Sequence, residues 1–394
     1  ACSGLAIASM GIVPNANGVF YTPVSAALNV GRGAVALCAT ITGITQGLFS
    51  PLVNSALKKL NVKKIIIIGS IITAVATVLM ARANSVWIYN LLGFFRGLGS
   101  ACFYYPLIYL IIGNHIKKGR STIIGFVMSM TGIAGALFSP LFSNLINNYG
   151  YQVCYIIVAA LILIFCFPAM LILKIEPSEM GPEAHENDQI AQKEVAEQSS
   201  KYRKLRFFQP LYILVCLVFF SLALLCGVSH HFSGYAESIG FANVGALMLS
   251  AVMVGNLTFK FIIGAICDKA NSFVGTVVMA FINIAGALIL LLFTNNIYLL
   301  LLGSFLFGVI FSVTIPAAST VRSIYGDAQF GQANSTLSMF TSISASVSIT
   351  VVGYIYDLTN SYSTPLIASM IIALLCILAV PVIGKLSRRV DAKS

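Results

Sequence analysis

Acidic residues are scarce in this chain of 394 residues: twelve Asp and Glu stand against 23 Lys and Arg, and charged residues make up only 9% of the whole. A water-soluble domain carries roughly 25% charged residues. That shortage, with 58% hydrophobic residues and a mean hydropathy of +0.93, excludes a solvated globular fold and points to an integral membrane protein. The nine cysteines (positions 2, 38, 102, 154, 166, 216, 226, 267 and 376) include no CxxC pair and have no His at ligand spacing. A disulfide or metal framework is therefore not expected, and the cysteines read as small apolar packing residues. Nucleophile–base pairs, metal-ligand clusters and nucleotide loops are missing as well, which argues against an enzyme and leaves no cofactor to assign.

What is abundant is long apolar runs. A helix needs about 20 apolar residues to cross the hydrocarbon, and twelve such spans are expected, at 2–28, 34–57, 64–83, 86–112, 120–145, 151–173, 209–236, 243–266, 273–294, 297–320, 332–356 and 362–385. They are numbered 1 to 12 below. Span 1 begins almost at Ala1 with no initiator Met and no basic flank, which reads as a trimmed N-terminus rather than a cleaved signal peptide.

Of the 23 basic residues, 19 fall in alternate connections and the C-terminal tail, among them Lys58, Lys117, Lys204, Lys269, Arg322 and Arg388. By the positive-inside rule those connections and both termini are cytoplasmic, in a multi-pass protein of the cytoplasmic membrane. Arg32 and Arg82 fall on the other side, and Arg96 and Lys260 lie within spans. The net charge of +11 is thus a topology signal and not a sign of nucleic-acid binding.

Seven of the twelve acids lie in one hydrophilic stretch, 175–208, which ends in the basic KYRKLRF. It divides the chain into an N-terminal bundle of six spans (1–174), a cytoplasmic linker (175–208) and a C-terminal bundle of six spans with a short tail (209–394). The acidic part is expected to be a solvated linker and the basic part a short amphipathic helix on the anionic inner leaflet. Segments 119–151 and 331–363 align without a gap as the fifth helix of each half, both rich in small residues that permit close packing in lipid.

Twelve spans split six and six resemble the major facilitator superfamily. Several patterns resemble its monocarboxylate and oxalate/formate exchanger branch: GVFYTPVSAALNVGRG (18–33), SPLVNSALKKLNVKKIIIIG (50–69), GLGSACFYYP (97–106), the stretch 117–151, EPSEMGP (176–182), HFSGYAESIG (231–240) and KFIIGAICD (260–268). The resemblance implies two six-helix bundles around a central cavity that opens alternately to either side, lined by spans 1, 4, 7 and 10 with parts of 2, 5, 8 and 11.

Lys260 is the leading site residue. It lies in the apolar run 250–267, and no predicted span holds an Asp or Glu to neutralise it. An ionised residue at that depth costs about 2.5–3.5 kcal/mol on insertion scales and should face protein or water. A lysine snorkelling to the inner surface is the plainer reading, but the flanking LTF and FII leave no polar path. The resemblance places Lys260 where the branch carries a cation, usually Arg, that pairs with the substrate carboxylate. Lys in its place offers a point charge without the bidentate fork.

Arg96, near mid-membrane and flanked by Gly93, Gly97 and Gly99, either binds backbone carbonyls between close-packed helices or contacts substrate. The resemblance places Asn256 where proton-coupled relatives have Asp and Asn15 where some have Lys. Neither Asn titrates, so anion exchange or facilitated passage is expected over proton coupling, although a desolvated Lys260 keeps proton coupling open. Tyr104, Tyr21, His231 and Ser342 are further candidates to line the cavity. By the same resemblance Asp268, in GAICDK, ties cytoplasmic helix ends, while Lys58 stands where an Asp is expected in the matching N-half loop. The resemblance implies a second cation in span 11 for carriers of doubly charged oxalate; span 11 here has none, which favours a monoanion unless Arg96 supplies a second charge. The expected function is a secondary carrier, acting as a monomer in the lipid bilayer, for a small organic anion. A proton-coupled monocarboxylate symporter and an efflux carrier for lipophilic compounds are the alternatives.

Overall fold

The computed structural model describes residues 1–56, 61–115, 120–172 and 209–391, and these are helical almost throughout, with no strand among them. The expected linker at 175–208 and the expected gating residue Lys58 lie outside the described residues. Helix starts follow from local chemistry. Asn61 accepts from the Lys63 amide at 3.0 Å to open the helix Val62–Met80, and Ser85 accepts from the Trp87 amide at 3.4 Å to open Val86–Ala101. The corresponding helices of the second half are capped alike: Asn271 opens Ser272–Leu292, and Asn296 opens Ile297–Phe307. Each cap satisfies an amide that the first turn leaves unpaired.

Nine stretches among the described residues are long and apolar enough to cross a membrane. The difference from twelve has a structural reason. Spans 5 and 6 run together through Arg120–Ile172, bent at Gly150, whose φ of 83° lies in the left-handed region. Spans 1 and 4 are each broken into shorter pieces. Span 1 comprises Cys2–Ala6, a π-helical Ile7–Asn15, a 3₁₀ turn Asn17–Phe20 and Tyr21–Leu28. Span 4 comprises Val86–Ala101 and Tyr105–His115.

Span 7 is also interrupted, into Pro210–Leu224, Cys226–His230 and Phe232–Ser238, and span 10 carries a 3₁₀ segment Gly308–Ser312 between Ile297–Phe307 and Thr314–Thr359. Every third span is therefore discontinuous. Non-helical backbone at membrane depth is tolerated only where protein or water satisfies its polar groups. The breaks are indeed buried in protein, as Ala16, Phe103, Leu225 and Val309 show. In contrast, large apolar side chains such as Leu137, Phe261 and Leu378 are exposed, a surface that lipid solvates.

Each half also packs its third span on its fourth through a reciprocal glycine contact. A Cβ on Gly69 would lie 2.6 Å from the Gly99 carbonyl, and one on Gly99 would lie 2.6 Å from the Gly69 carbonyl. In the second half, Gly286 and Gly303 stand in the same relation, at 2.9 and 3.1 Å. No side chain fits at such crossings, so the helix backbones themselves touch.

The chain forms two compact units. The first takes Ala1–Gly181, His230–Val254 and Ile349–Tyr362; the second takes Pro182–Ser229, Gly255–Ser348 and Ser363–Ser394. One end of each of spans 7, 8 and 11 thus belongs to the first unit.

Candidate functional site

In the first unit the break in span 1 is held from two sides. Asn15 Nδ2 donates to the Thr131 carbonyl at 3.2 Å, which ties the end of the π-helical stretch to span 5. Two residues on, Asn17 Oδ1 accepts from Arg96 Nη1 at 3.2 Å. Arg96 is only 2% exposed, and its Nε has no partner among the described residues. The glycines beside it let span 4 lie directly on span 2: a Cβ on Gly93 would meet the Cys38 carbonyl at 2.9 Å, and one on Gly97 would meet Thr45 Cβ at the same distance. Around this cation the groups are hydroxyls, a thiol and an amide, from Tyr21, Cys38, Tyr89, Tyr155 and Asn17. The hydroxyls of Tyr89 and Tyr155 pair at 2.5 Å, and Phe20 stacks on Tyr155 with centroids 4.3 Å apart. Arg96 is a buried cation whose hydrogen-bond partner among the described residues is a neutral amide.

Tyr21 is buried just beyond the same break, with its ring 5.2 Å from that of His231. His231 in turn lies at the break in span 7, where its Nε2–H donates to the Ile349 carbonyl at 2.8 Å. Tyr104 is half-buried at the break in span 4 and stacks on Tyr105 at 4.5 Å. The structure thus brings Asn15, Arg96, Tyr21 and His231 to the breaks in spans 1 and 7 within one unit.

In the second unit, Lys260 and Asn256 lie one turn apart on the helix Gly245–Lys269. Lys260 is half-buried, forms no hydrogen bond or ion pair with a described residue, and lies within electrostatic reach of the Cys226 thiol at the break in span 7. Asn256 is buried, and its Oδ1 has no partner among the described residues. Apolar groups pack beside them: Phe259 lies 5.2 Å from Phe305, and Gly255 abuts the chain at Gly308, where a Cβ would stand 3.3 Å from Cα. Ser342 is exposed and bonds no described residue, whereas Ser344 on the same helix donates to the Phe220 carbonyl at 2.6 Å. Asp268 is exposed at the helix end and pairs with no described residue. No three His, Cys, Asp or Glu among the described residues converge as metal ligands would.

A cluster that the sequence reading did not connect lies at one end of the first unit. The Asp357 carboxylate accepts the Arg32 amide at 2.9 Å and the Gly33 amide at 2.8 Å, and so caps the helix Arg32–Ala56. The Arg32 guanidinium meets Glu237 Oε2 at 3.0 Å and the Tyr362 hydroxyl at 3.1 Å, and it lies 4.6 Å from the centre of the Tyr356 ring. Gly33 and Gly353 bring spans 2 and 11 into contact here, since a Cβ on Gly353 would lie 2.6 Å from Gly33 Cα. Farther along the same pair, the Thr40 and Thr350 hydroxyls meet at 2.7 Å. Arg32 and Asp357 stand 325 residues apart, and the only signal for them in the sequence is their place outside the spans.

Comparison with known proteins agrees with this architecture. Relatives include monocarboxylate transporter 13 of Rattus norvegicus, 28% identical over 145 residues, which is 36% of this chain and 34% of that one. Monocarboxylate transporter 2 of Mus musculus is 24% identical over 166 residues, 42% of this chain and 34% of that one. The chain therefore matches about a third of the length of these relatives. Among solved structures, the nucleoside transporter NupG superposes with a TM-score of 0.75 at 14% identity, covering 97% of this chain and 98% of that one. A D-xylose-proton symporter gives 0.69 at 13%, covering 97% and 95%. The family model described as Major Facilitator Superfamily matches residues 2–321 and 246–393. With that match across its length, and with a helical fold shared with solved transporters, the chain belongs to the Major Facilitator Superfamily of membrane transporters.

Proposed function

We propose that this protein is a secondary transporter for a small organic anion, a monocarboxylate, working by alternating access and by anion exchange or facilitated passage. In this reading twelve spans form two halves, 1–174 and 209–394, joined by a cytoplasmic linker. The protein sits in the cytoplasmic membrane as a monomer with both termini inside. The observation that carries the reading is Lys260: a cation well inside the helix Gly245–Lys269 with no hydrogen bond or ion pair to a described residue, in a chain whose sequence-predicted spans hold no acid. A charge so placed is retained where something charged meets it, and the group missing is an anion.

The neutral neighbour Asn256, one turn away, supports exchange over proton coupling, because an amide cannot carry a proton through the cycle. Arg96 already shares a hydrogen bond with Asn17, which supports a structural role for it and a single carboxylate on the substrate. Relatives named as monocarboxylate transporters support the substrate class. Asp268 and Lys58 are proposed to act in closure of the cytoplasmic end.

The test is transport in lipid vesicles containing the purified protein. A panel of labelled mono- and dicarboxylates is supplied with and without trapped counter-substrate and with and without a pH gradient. Uptake of a monocarboxylate, accelerated by trapped counter-substrate and insensitive to the pH gradient, is expected. Uptake driven by the gradient alone would instead make the protein a proton symporter, and uptake of no anion would refute the reading.

A further inference from the structure

The reading built on Lys260 makes no use of the cluster around Arg32, a densely bonded polar feature of the first unit. Four groups converge on Arg32 and on the α-amides of Arg32 and Gly33: the carboxylates of Asp357 and Glu237, the Tyr362 hydroxyl and the Tyr356 ring. They come from the ends of spans 7 and 11 and from the start of span 12. The fit is tight at three glycines. A side chain on Gly31 would run into the Asp357 carboxylate, one on Gly234 would run into Arg32 and Tyr362, and one on Gly33 would lie 2.7 Å from the Tyr354 amide. The contact is also built of reversible parts. Glu237 is 44% exposed, and an exposed ion pair contributes little, whereas the two charge-assisted bonds from backbone amides to Asp357 are the stronger element.

One residue joins this cluster to the interior. The centre of the His231 ring lies 6.0 Å from that of Tyr362 and 5.2 Å from that of Tyr21, while its Nε2–H donates to the Ile349 carbonyl in span 11. Tyr21 opens the helical piece that follows the 3₁₀ turn, and that turn begins at Asn17, the acceptor for Arg96. A continuous set of contacts therefore runs from the broken middle of span 1 to Arg32.

We propose that Arg32, held by Asp357 and Glu237, is a latch closing one end of the transport path, and that His231 is a positioning residue linking the latch to the break in span 1. The basic-residue distribution puts this end on the outside. The proposal rests on the reading of the protein as a carrier. Spatial continuity alone does not demonstrate coupling, so the test must read coupling directly.

The Arg32 and Gly33 amides supply that readout, because both are protected only while Asp357 holds them. Hydrogen exchange of peptides covering 29–36, measured by mass spectrometry on the vesicle-embedded protein without substrate, should quicken at least tenfold in Asp357→Asn and about threefold in His231→Phe. In the double variant the effect should be less than the product of the two, since coupled sites are not additive. Transport of labelled lactate gives the second readout: opening the latch should raise net efflux relative to exchange at least threefold, whereas a merely destabilised protein loses both in proportion. The paired variant Arg32→Glu with Glu237→Arg should restore the wild-type ratio that either single change disturbs, which guards against misfolding of one variant. Wild-type exchange at 29–36 in Asp357→Asn would overturn the latch, and multiplicative effects in the double variant would overturn the role of His231. Absence of anion transport by the wild type, with the exchange pattern as expected, would overturn the carrier reading and leave the latch standing.

Discussion

Replacing Asn256 with Asp places a carboxylate one helical turn before Lys260, where i and i+4 side chains meet on a common face. At about 4 Å and an effective dielectric near 20, the attraction is about 4 kcal/mol. That is close to the whole binding free energy of a ligand of about millimolar affinity. An incoming carboxylate would then have to displace a tethered one, and each 1.4 kcal/mol of that competition costs about tenfold in affinity. The apparent affinity of Asn256→Asp for its anion should therefore fall by roughly a hundredfold to a thousandfold at pH 8. The sign of the pH response follows. The ion pair forms only while the new carboxyl is ionised, so acid neutralises it and releases Lys260, and transport should recover as the pH falls and be lost as it rises. Counterflow of a labelled monocarboxylate in vesicles, measured from pH 5 to pH 8, reads both effects. A variant with wild-type affinity and a wild-type pH profile would refute the reasoning that Lys260 meets the anion.

Three further outcomes follow from the packing. Gly99→Ala forces a methyl to within 2.6 Å of the Gly69 carbonyl and should cost about 1–3 kcal/mol by overpacking, whereas Gly47→Ala, with nothing within 4 Å, should gain about 0.4–1 kcal/mol. Denaturation midpoints of the two purified variants should therefore move in opposite directions. Asn17→Ala removes the acceptor for Arg96 and should destabilise by about 1.5–3 kcal/mol, measured in the same way. Tyr89→Phe deletes one of two paired buried hydroxyls and should lower stability by about 0.5–1.5 kcal/mol while leaving the anion affinity as it is.

What was legible in the chain was local. The scarcity of acids and the length of the apolar runs specified a helical membrane protein. The glycines beside Arg96 likewise announced a close helix contact, which Cys38 and Thr45 supply. The isolation of Lys260 was legible because it needed only a census of charges.

The breaks were not read. Pro14 and the sequence Asn15-Ala16-Asn17-Gly18 are turn-prone, yet they sit in a run whose hydropathy suits a continuous span, and hydropathy does not report backbone satisfaction by neighbouring helices. Nor was the latch, because Arg32, Glu237 and Asp357 come from three distant parts of the chain. No local pattern pairs residues that meet only when spans 2 and 11 touch at Gly33 and Gly353.

The central claim is that Lys260 is the point at which the anion is held. Counterflow of the labelled monocarboxylate should be compared in the wild type, Lys260→Arg and Lys260→Ala, at matched amounts of folded protein. Lys260→Arg should retain counterflow, because it keeps the charge, and Lys260→Ala should lose at least ten- to a hundredfold in apparent affinity, as removal of a charge-assisted contact of about 1.5–3 kcal/mol requires. Counterflow by Lys260→Ala at the wild-type rate and affinity would contradict the account.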